Sequence, residues 1–301
     1  MATNTTSFLN TPQAVDDLFV SSTTGLTEDS LFITYLAVMA NDLGGAAKTL
    51  YSIDNGTNSI GVFSPTDLLT QDIVRTEALT TDLSAHGAKI WITTDGKVGY
   101  DAATLSADFK DQLQHLSSGQ FLTDTFTYAI RLGNGTLSWA TATVQIAGVN
   151  DAPVVTGAVT GHADEDAACV TLNALARASD VDTGSTLSVT NLPASLPPGV
   201  TYDAATHAFT LDPSHAAFQH LAAGEHASVT VNYGVSDGTS TTAASVSWDV
   251  VGTNDAPAVT GAVTGSATED AASVTLNALA RASDVDTGST LSVTNLPASL
   301  P

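Results

Sequence analysis

Apolar and polar residues alternate over short runs in this chain, and the alternation predicts strands. "VTVNYGV" places Val229, Val231, Tyr233 and Val235 on one face, and "SVSWDVV" does the same with Val246, Trp248 and Val250. "DTFTYAI" aligns Phe126, Tyr128 and Ile130 in the same way. Turn formers punctuate these runs at Asp95-Gly96, Asn134-Gly135, Asp237-Gly238 and the Pro-rich "LPASLPPG". The one helical candidate, "PSHAAFQHLAAG" from Pro213 to Gly224, predicts a short connecting helix with a glycine stop. Several short strands within about 100 residues predict an all-β chain of tandem, immunoglobulin-like Greek-key β-sandwiches.

The pattern also repeats. Residues 154–197 recur at 258–301, with 40 of 44 positions identical, and the differences fall at 154, 162, 164 and 169. A period of 104 residues is that of a domain, not of a solenoid repeat. A more diverged copy precedes it: "YDAAT" at Tyr100 recurs at Tyr202, "QHL" at Gln114 recurs at Gln219, and "NDAP" at Asn150 recurs at Asn254. The chain therefore divides into domains at 1–150, 151–254 and 255–301. The first carries an insertion of about 35 residues between Asn41 and Gly99, compared with the next copy. The third lacks the strands that would complete its core and is expected to be incomplete.

Charge narrows the partners. There are 31 Asp and Glu against 8 Lys and Arg, a net charge of -23, which excludes nucleic acid and anionic lipid and favours cations. The acids sit in short clusters among small polar residues, as placed loop residues do. Cys169 is the one cysteine, so no internal disulfide forms; it reads as a small buried hydrophobe, matched by Ser273 in the next copy. No run approaches a membrane span, and the amino terminus has no basic region followed by an apolar one.

Each copy offers three acidic landmarks. They are "NDAP" at the junction (Asn150, Asp151; Asn254, Asp255), a Glu-Asp pair (Glu165-Asp166; Glu269-Asp270) and "DVD" (Asp180, Asp182; Asp284, Asp286). Carboxylates two residues apart in a loop can both turn onto one hard cation, and Ca²⁺ takes six to eight oxygens. A junction gathering Asn150, Asp151, Asp180 and Asp182, with Glu28 from the preceding copy, would bind Ca²⁺ and stiffen the chain where disulfides do not. The same residues are also ordinary turn formers, and a Glu-Asp pair before a strand is equally a solvated loop. In the first copy "AND" at Asn41-Asp42 takes the place of "DVD" and lacks the second carboxylate.

The motifs "GTNDAP", "TEDA", "ASDVD", "TLSVTNLP", "GVTYDAATHAFTLDP", "QHLAAGE" and "VTVNYGVSDGT", in that order, resemble the VCBS repeat, a bacterial domain related to cadherin-like tandem domains. The resemblance runs from about residue 98 to residue 301. It implies a segment of a long surface or secreted adhesin of the RTX type, exported by type I secretion without an amino-terminal signal, acting in adhesion and biofilm. The looser similarity to cadherins implies calcium shared between a junction like Asn150-Asp151 and an Asp-x-Asp like Asp180/Asp182. The glycine-rich nonapeptide of RTX β-rolls does not occur.

No motif assembles an active site, and the seven His are scattered, with His115 and His220 recurring in "QHL" as packed or surface residues. The chain is therefore expected to be non-enzymatic. The favoured function is a calcium-stiffened extracellular segment, extended and monomeric, that binds cell-surface or matrix ligands, protein or glycan, or acts as a spacer. The alternative makes the first domain, with "VFSPTDLLTQDIVRTEAL", a carbohydrate-binding module on passive spacers. Asn-x-Thr acceptor patterns occur at Asn4, Asn55 and Asn134.

Overall fold

The computed structural model describes residues 13–54, 68–76 and 82–298. Asn4, Asn55 and half of the segment 62–79 lie outside them. The chain forms two compact units: residues 1–151 with 181–185, and residues 152–180 with 186–301.

The first unit contains β1 (Asp17–Phe19), β2 (Ile33–Leu36), β3 (Thr49–Asp54), β4 (Lys89–Ile92), β5 (Val98–Asp101), β6 (Phe121–Arg131) and β7 (Leu137–Ala147). A four-stranded sheet, β1-β7-β6-β3, faces a three-stranded sheet, β2-β5-β4. β1 runs parallel to β7 and the other pairs are antiparallel. The predicted inward faces hold: Phe126, Tyr128 and Ile130 are fully buried, packed with Leu26, Ile90, Val98 and Val144. One short helix, α1 (Ser21–Thr24), follows β1, and α2 (Ala107–Leu113) begins where Ser106 Oγ accepts from Phe109 N at 3.4 Å. The described part of the insertion lies along two sheet edges. Ser52 Oγ of β3 donates to Leu68 O at 2.6 Å, and Ile53 N donates to Asp72 Oδ2 at 2.7 Å. Arg75 N donates to Ile92 O of β4 at 2.8 Å. Residues 68–75 thus occupy backbone groups of both edge strands, which would otherwise be open to pairing.

The second unit repeats the plan with β8 (Val154–Val155), β9 (Val159–Asp164), β10 (Val170–Asn173), β11 (Ala178–Ser179), β12 (Ser188–Thr190), β13 (Val200–Asp203), β14 (Ala208–Leu211), β15 (His226–Ser236) and β16 (Thr241–Val251). The sheets are β12-β15-β16-β9 and β10-β14-β13, with β8 paired to β11. β9 runs parallel to β16, as β1 does to β7. Val231, Tyr233, Val235, Val246, Trp248 and Val250 fill the core with Phe209 and Leu211. The chain is all-β in tandem sandwiches, as the alternation predicts.

Two expectations need correction. Residues 213–224 are not a helix: they run as successive turns, Phe218 N to His215 O at 2.9 Å and Leu221 N to Phe218 O at 2.9 Å. Phe218 and Leu221 still reach the core, so the apolar spacing is real, but Asp212 and His215 draw the backbone N–H groups of Ser214 and Ala217 onto their side chains and compete with helix formation. Cys169 is exposed, not buried, because it stands in the segment between β9 and β10, before the inward-facing Val170. Among the described residues the third copy contributes only β17 (Ala258–Val259) paired with β18 (Ala282–Ser283), and its Val274, Leu276 and Leu296 are exposed.

Candidate functional site

The acidic site of the first unit is assembled where the chain leaves β7. Glu28 N donates to Ala147 O at 3.0 Å, which fixes the glutamate beside the strand end. Gly148 follows; a Cβ there would lie 2.4 Å from Leu116 O, so only glycine lets the chain pass that backbone. The next N–H, of Val149, donates to Glu28 Oε1 at 2.5 Å, and Asp151 N donates to Asp182 Oδ2 at 3.0 Å. The Asp182 loop is anchored by Thr183 N, which donates to His115 O at 3.0 Å. One carboxylate oxygen each of Glu28, Asp151 and Asp182 then lies within 4.8 Å of the others.

Glu28 and Asp182 are 5% and 6% exposed, and Glu28 Oε2 is buried with no hydrogen-bond partner. Burial pushes the Glu28 carboxyl up to about 7; the Val149 N–H opposes this, and the neighbouring Asp151 and Asp182 reinforce it. Three carboxylates converging around an orphaned oxygen form an acceptor-rich cavity that wants a proton or a cation. A donor set made only of carboxylate oxygens fits the coordination of Ca²⁺.

The second unit repeats the construction. Glu165 N donates to Val251 O at 2.8 Å, and at Gly252 a Cβ would lie 2.4 Å from Ala222 O. Thr253 N donates to Glu165 Oε2 at 3.1 Å and Asp255 N to Asp286 Oδ2 at 3.0 Å, while Thr287 N reaches His220 O at 2.9 Å. Glu165 is 2% exposed, Glu165 Oε1 and Asp286 Oδ1 are orphaned, and burial raises the carboxyls of both Glu165 and Asp255. Among the described residues, only the first set brings all three carboxylates within 4.8 Å.

The other expected residues are placed as follows. Asn150 and Asn254 turn their amides onto the carbonyls of Asp151 and Asp255, at 2.7 Å in both. Asp284 Oδ1 accepts from Asp286 N at 3.0 Å and shapes the loop that presents Asp286. Asp180 is half-buried and belongs to the second unit, and Glu269 is exposed on the third copy. In the pairs Glu28-Asp29 and Glu165-Asp166 the glutamate turns inward, while Asp166 takes a left-handed φ of 62° and accepts from Gln219 Nε2 at 2.9 Å. In the first unit Asp42 plays a part like that of Asp182, accepting from Val15 N at 2.7 Å. Sequence reasoning missed the backbone share of the site. The recurrence of His115 and His220 marks carbonyls that receive the loop threonines, not imidazole chemistry, and Gly148 and Gly252 were the signal for the tight passage.

Residues 149–251 match the family model of a cadherin-like domain. No curated protein matches the chain. Solved structures similar to it include mouse Cadherin-23 EC22-24 (14% identity, 92% of this chain and 76% of that one, TM-score 0.46). Human CDH23 EC21-23 (15% identity, 91% and 84%, TM-score 0.43) is another. Protocadherin Gamma B7 extracellular cadherin domains 1-4 align at 15% identity over 91% of this chain, which spans 58% of that one, with a TM-score of 0.43. Among the described residues no helix is long and apolar enough to cross a membrane.

Proposed function

We propose that the chain is a calcium-stiffened repeat segment of a bacterial surface or secreted adhesin of the VCBS type. It works outside the cell as a spacer or as a contact surface for protein or glycan ligands. The observation that carries this reading is the recurrence of one construction, a buried glutamate against an Asp on the outgoing chain and an Asp on a loop 31 residues further on, with the same backbone hydrogen bonds at Glu28/Asp151/Asp182 and Glu165/Asp255/Asp286. A catalytic pair is needed once; a structural clamp is needed at every repeat. Ca²⁺ at these sites would neutralise the carboxylates and fix the path of the chain from the end of one β-sandwich to the Asp-x-Asp loop. The insertion needs no ligand to account for residues 68–75, which occupy the edges of β3 and β4.

The test is thermal unfolding in millimolar Ca²⁺ against chelator. Binding at 100 times Kd adds about 2.7 kcal/mol for each site, and Glu28→Gln with Glu165→Gln should remove most of the shift. A melting curve indifferent to both Ca²⁺ and chelator overturns the proposal.

A further inference from the structure

An open cavity of about 730 Å³ lies on the first unit, where α2 meets the start of β6. That is the size of a small-ligand site. Phe121 lines it and is 49% exposed, because the alternation that buries Asp124 and Phe126 of β6 turns Phe121 outward. Asp111, Gln112, His115 and Gln120 also line it.

Local hydrogen bonds decide what each polar side chain still offers. His115 Nδ1 lies 2.7 Å from Asp111 O; a carbonyl only accepts, so Nδ1 carries the proton and the neutral ring presents Nε2 as an acceptor. Gln112 Nε2 donates to Asp108 O at 3.2 Å, which leaves Oε1 as its acceptor. Gln120 Oε1 accepts from Ser117 N at 3.0 Å, which leaves the Nε2 donor. Asp111 adds a carboxylate, the one formal charge of the lining. Acceptor sites therefore outnumber donors beside an exposed aromatic ring. The complementary group carries donors, positive charge and a flat face. Arginine has all three: five N–H donors, no acceptor, and a planar cation that stacks on aromatic rings. A sugar hydroxyl donates and accepts alike and brings no charge.

The second unit keeps the turn but not the lining. Glu225 Oε2 accepts from Ala222 N at 3.2 Å, as Gln120 Oε1 does from Ser117 N. Counted from the shared "QHL", Ala216, Ala217 and His226 stand where Asp111, Gln112 and Phe121 do. The acceptor-rich aromatic groove thus belongs to the first unit and not to the repeat.

We propose that this groove of α2 and β6 binds an arginine side chain presented by a partner protein, with the guanidinium stacked on Phe121 and paired with Asp111. This role rests on the reading of the chain as a contact segment, and the two fail separately: melting in Ca²⁺ reads the clamp, and peptide binding reads the groove. The test is titration of the blocked tripeptide acetyl-Gly-Arg-Gly-amide into the isotope-labelled full chain in excess Ca²⁺, followed by two-dimensional NMR. Saturable shifts are expected at the Gln112 and Gln120 side-chain amides and along the backbone of residues 111–122. Affinity should fall about 10-fold in Asp111→Ala and in Phe121→Ala, and about 10-fold when lysine replaces the peptide's arginine and the bidentate hydrogen bonds are lost. Both side chains are exposed, so both variants keep the melting behaviour of the parent. Absence of saturable shifts, equal binding of the uncharged citrulline tripeptide, affinity unchanged in both variants, or cellobiose occupying the groove in place of the peptide overturns the assignment.

Discussion

The two compact units share a plan and an acidic clamp but not a core. On β6, Asp124 is fully buried, and the place it holds is taken on β15 by Val229. Asp124 is tolerated because donors surround it: His86 N at 2.9 Å, Thr125 N at 2.9 Å, His86 Nδ1 at 3.1 Å and the Tyr100 hydroxyl at 2.7 Å. The carboxylate in turn pushes the Tyr100 phenol far above its ordinary range, with desolvation as the larger cause. Tyr202, at the matching position of "YDAAT", meets no such carboxylate; its hydroxyl faces His207 Nδ1 at 3.3 Å and its ring packs on Phe209. The clamp residues stay constant while the cores beneath them diverge. A clamp in which carboxylates meet particular backbone N–H groups constrains residue identity more tightly than a core does, because a core needs only volume and satisfied polar groups.

The sharpest way to break this comparison is to exchange the cores at that position. Asp124→Val gives the first unit the residue of the second, but strands the phenol and two backbone N–H groups. We expect a loss of roughly 3–5 kcal/mol, read from the unfolding transition of the first unit in urea. Val229→Ala leaves only a small cavity and should cost about 2 kcal/mol. If Asp124→Val is as stable as the parent, the network around Asp124 does not hold the first unit together and the contrast between the cores has no energetic content.

A smaller effect tests the clamp. With its folded value raised from 4.5 to about 7, Glu28 keeps its proton in the folded state over a range where the unfolded chain has released it. Its contribution is therefore neutral below about pH 4.5, becomes increasingly destabilising as pH rises through 7, and levels off above; the full change is about 3 kcal/mol. Glu165 is shifted in the same direction. In chelator, Glu28→Gln should flatten this slope and be more stable than the parent at pH 8. A bound cation reverses the sign, since it requires the carboxylate, so Ca²⁺ affinity should fall as pH drops below 7. Parallel slopes for parent and variant between pH 5 and pH 8 would show that Glu28 is not the group at work.

Much of this was legible in the sequence, and the limits have physical causes. Strands such as 226–236 read clearly because a half-buried sheet writes its period of two directly into residue type. The acids at Asp151, Asp182, Asp255 and Asp286 read clearly because they recur. Which member of Glu165-Asp166 faces inward did not, because both are acids and a single left-handed φ at Asp166 decides it. The turns at 213–224 keep helical apolar spacing, so periodicity alone could not separate them from a helix. That β9 runs beside β16 was invisible, because no local pattern records strand register.

The smallest expected effect separates the two tyrosines that hold the same sandwich position. Tyr233 donates to one acceptor, Ala174 O at 2.6 Å, so Tyr233→Phe removes a single neutral hydrogen bond and should cost about 1 kcal/mol. The Tyr128 hydroxyl has one proton among three acceptors: Val15 O at 2.9 Å, Val38 O at 2.9 Å and Asp42 Oδ1 at 3.0 Å. Burial, together with the charge of Asp42, pushes nearby Asp17 up to about 6, although Tyr128 opposes the shift. Removing that donor by Tyr128→Phe should therefore cost more than Tyr233→Phe and raise Asp17 further, because the Tyr128 hydroxyl no longer opposes the shift. Equal losses in the two variants, measured by urea unfolding at pH 7, would mean that the crowding of acceptors around Tyr128 carries no energy of its own.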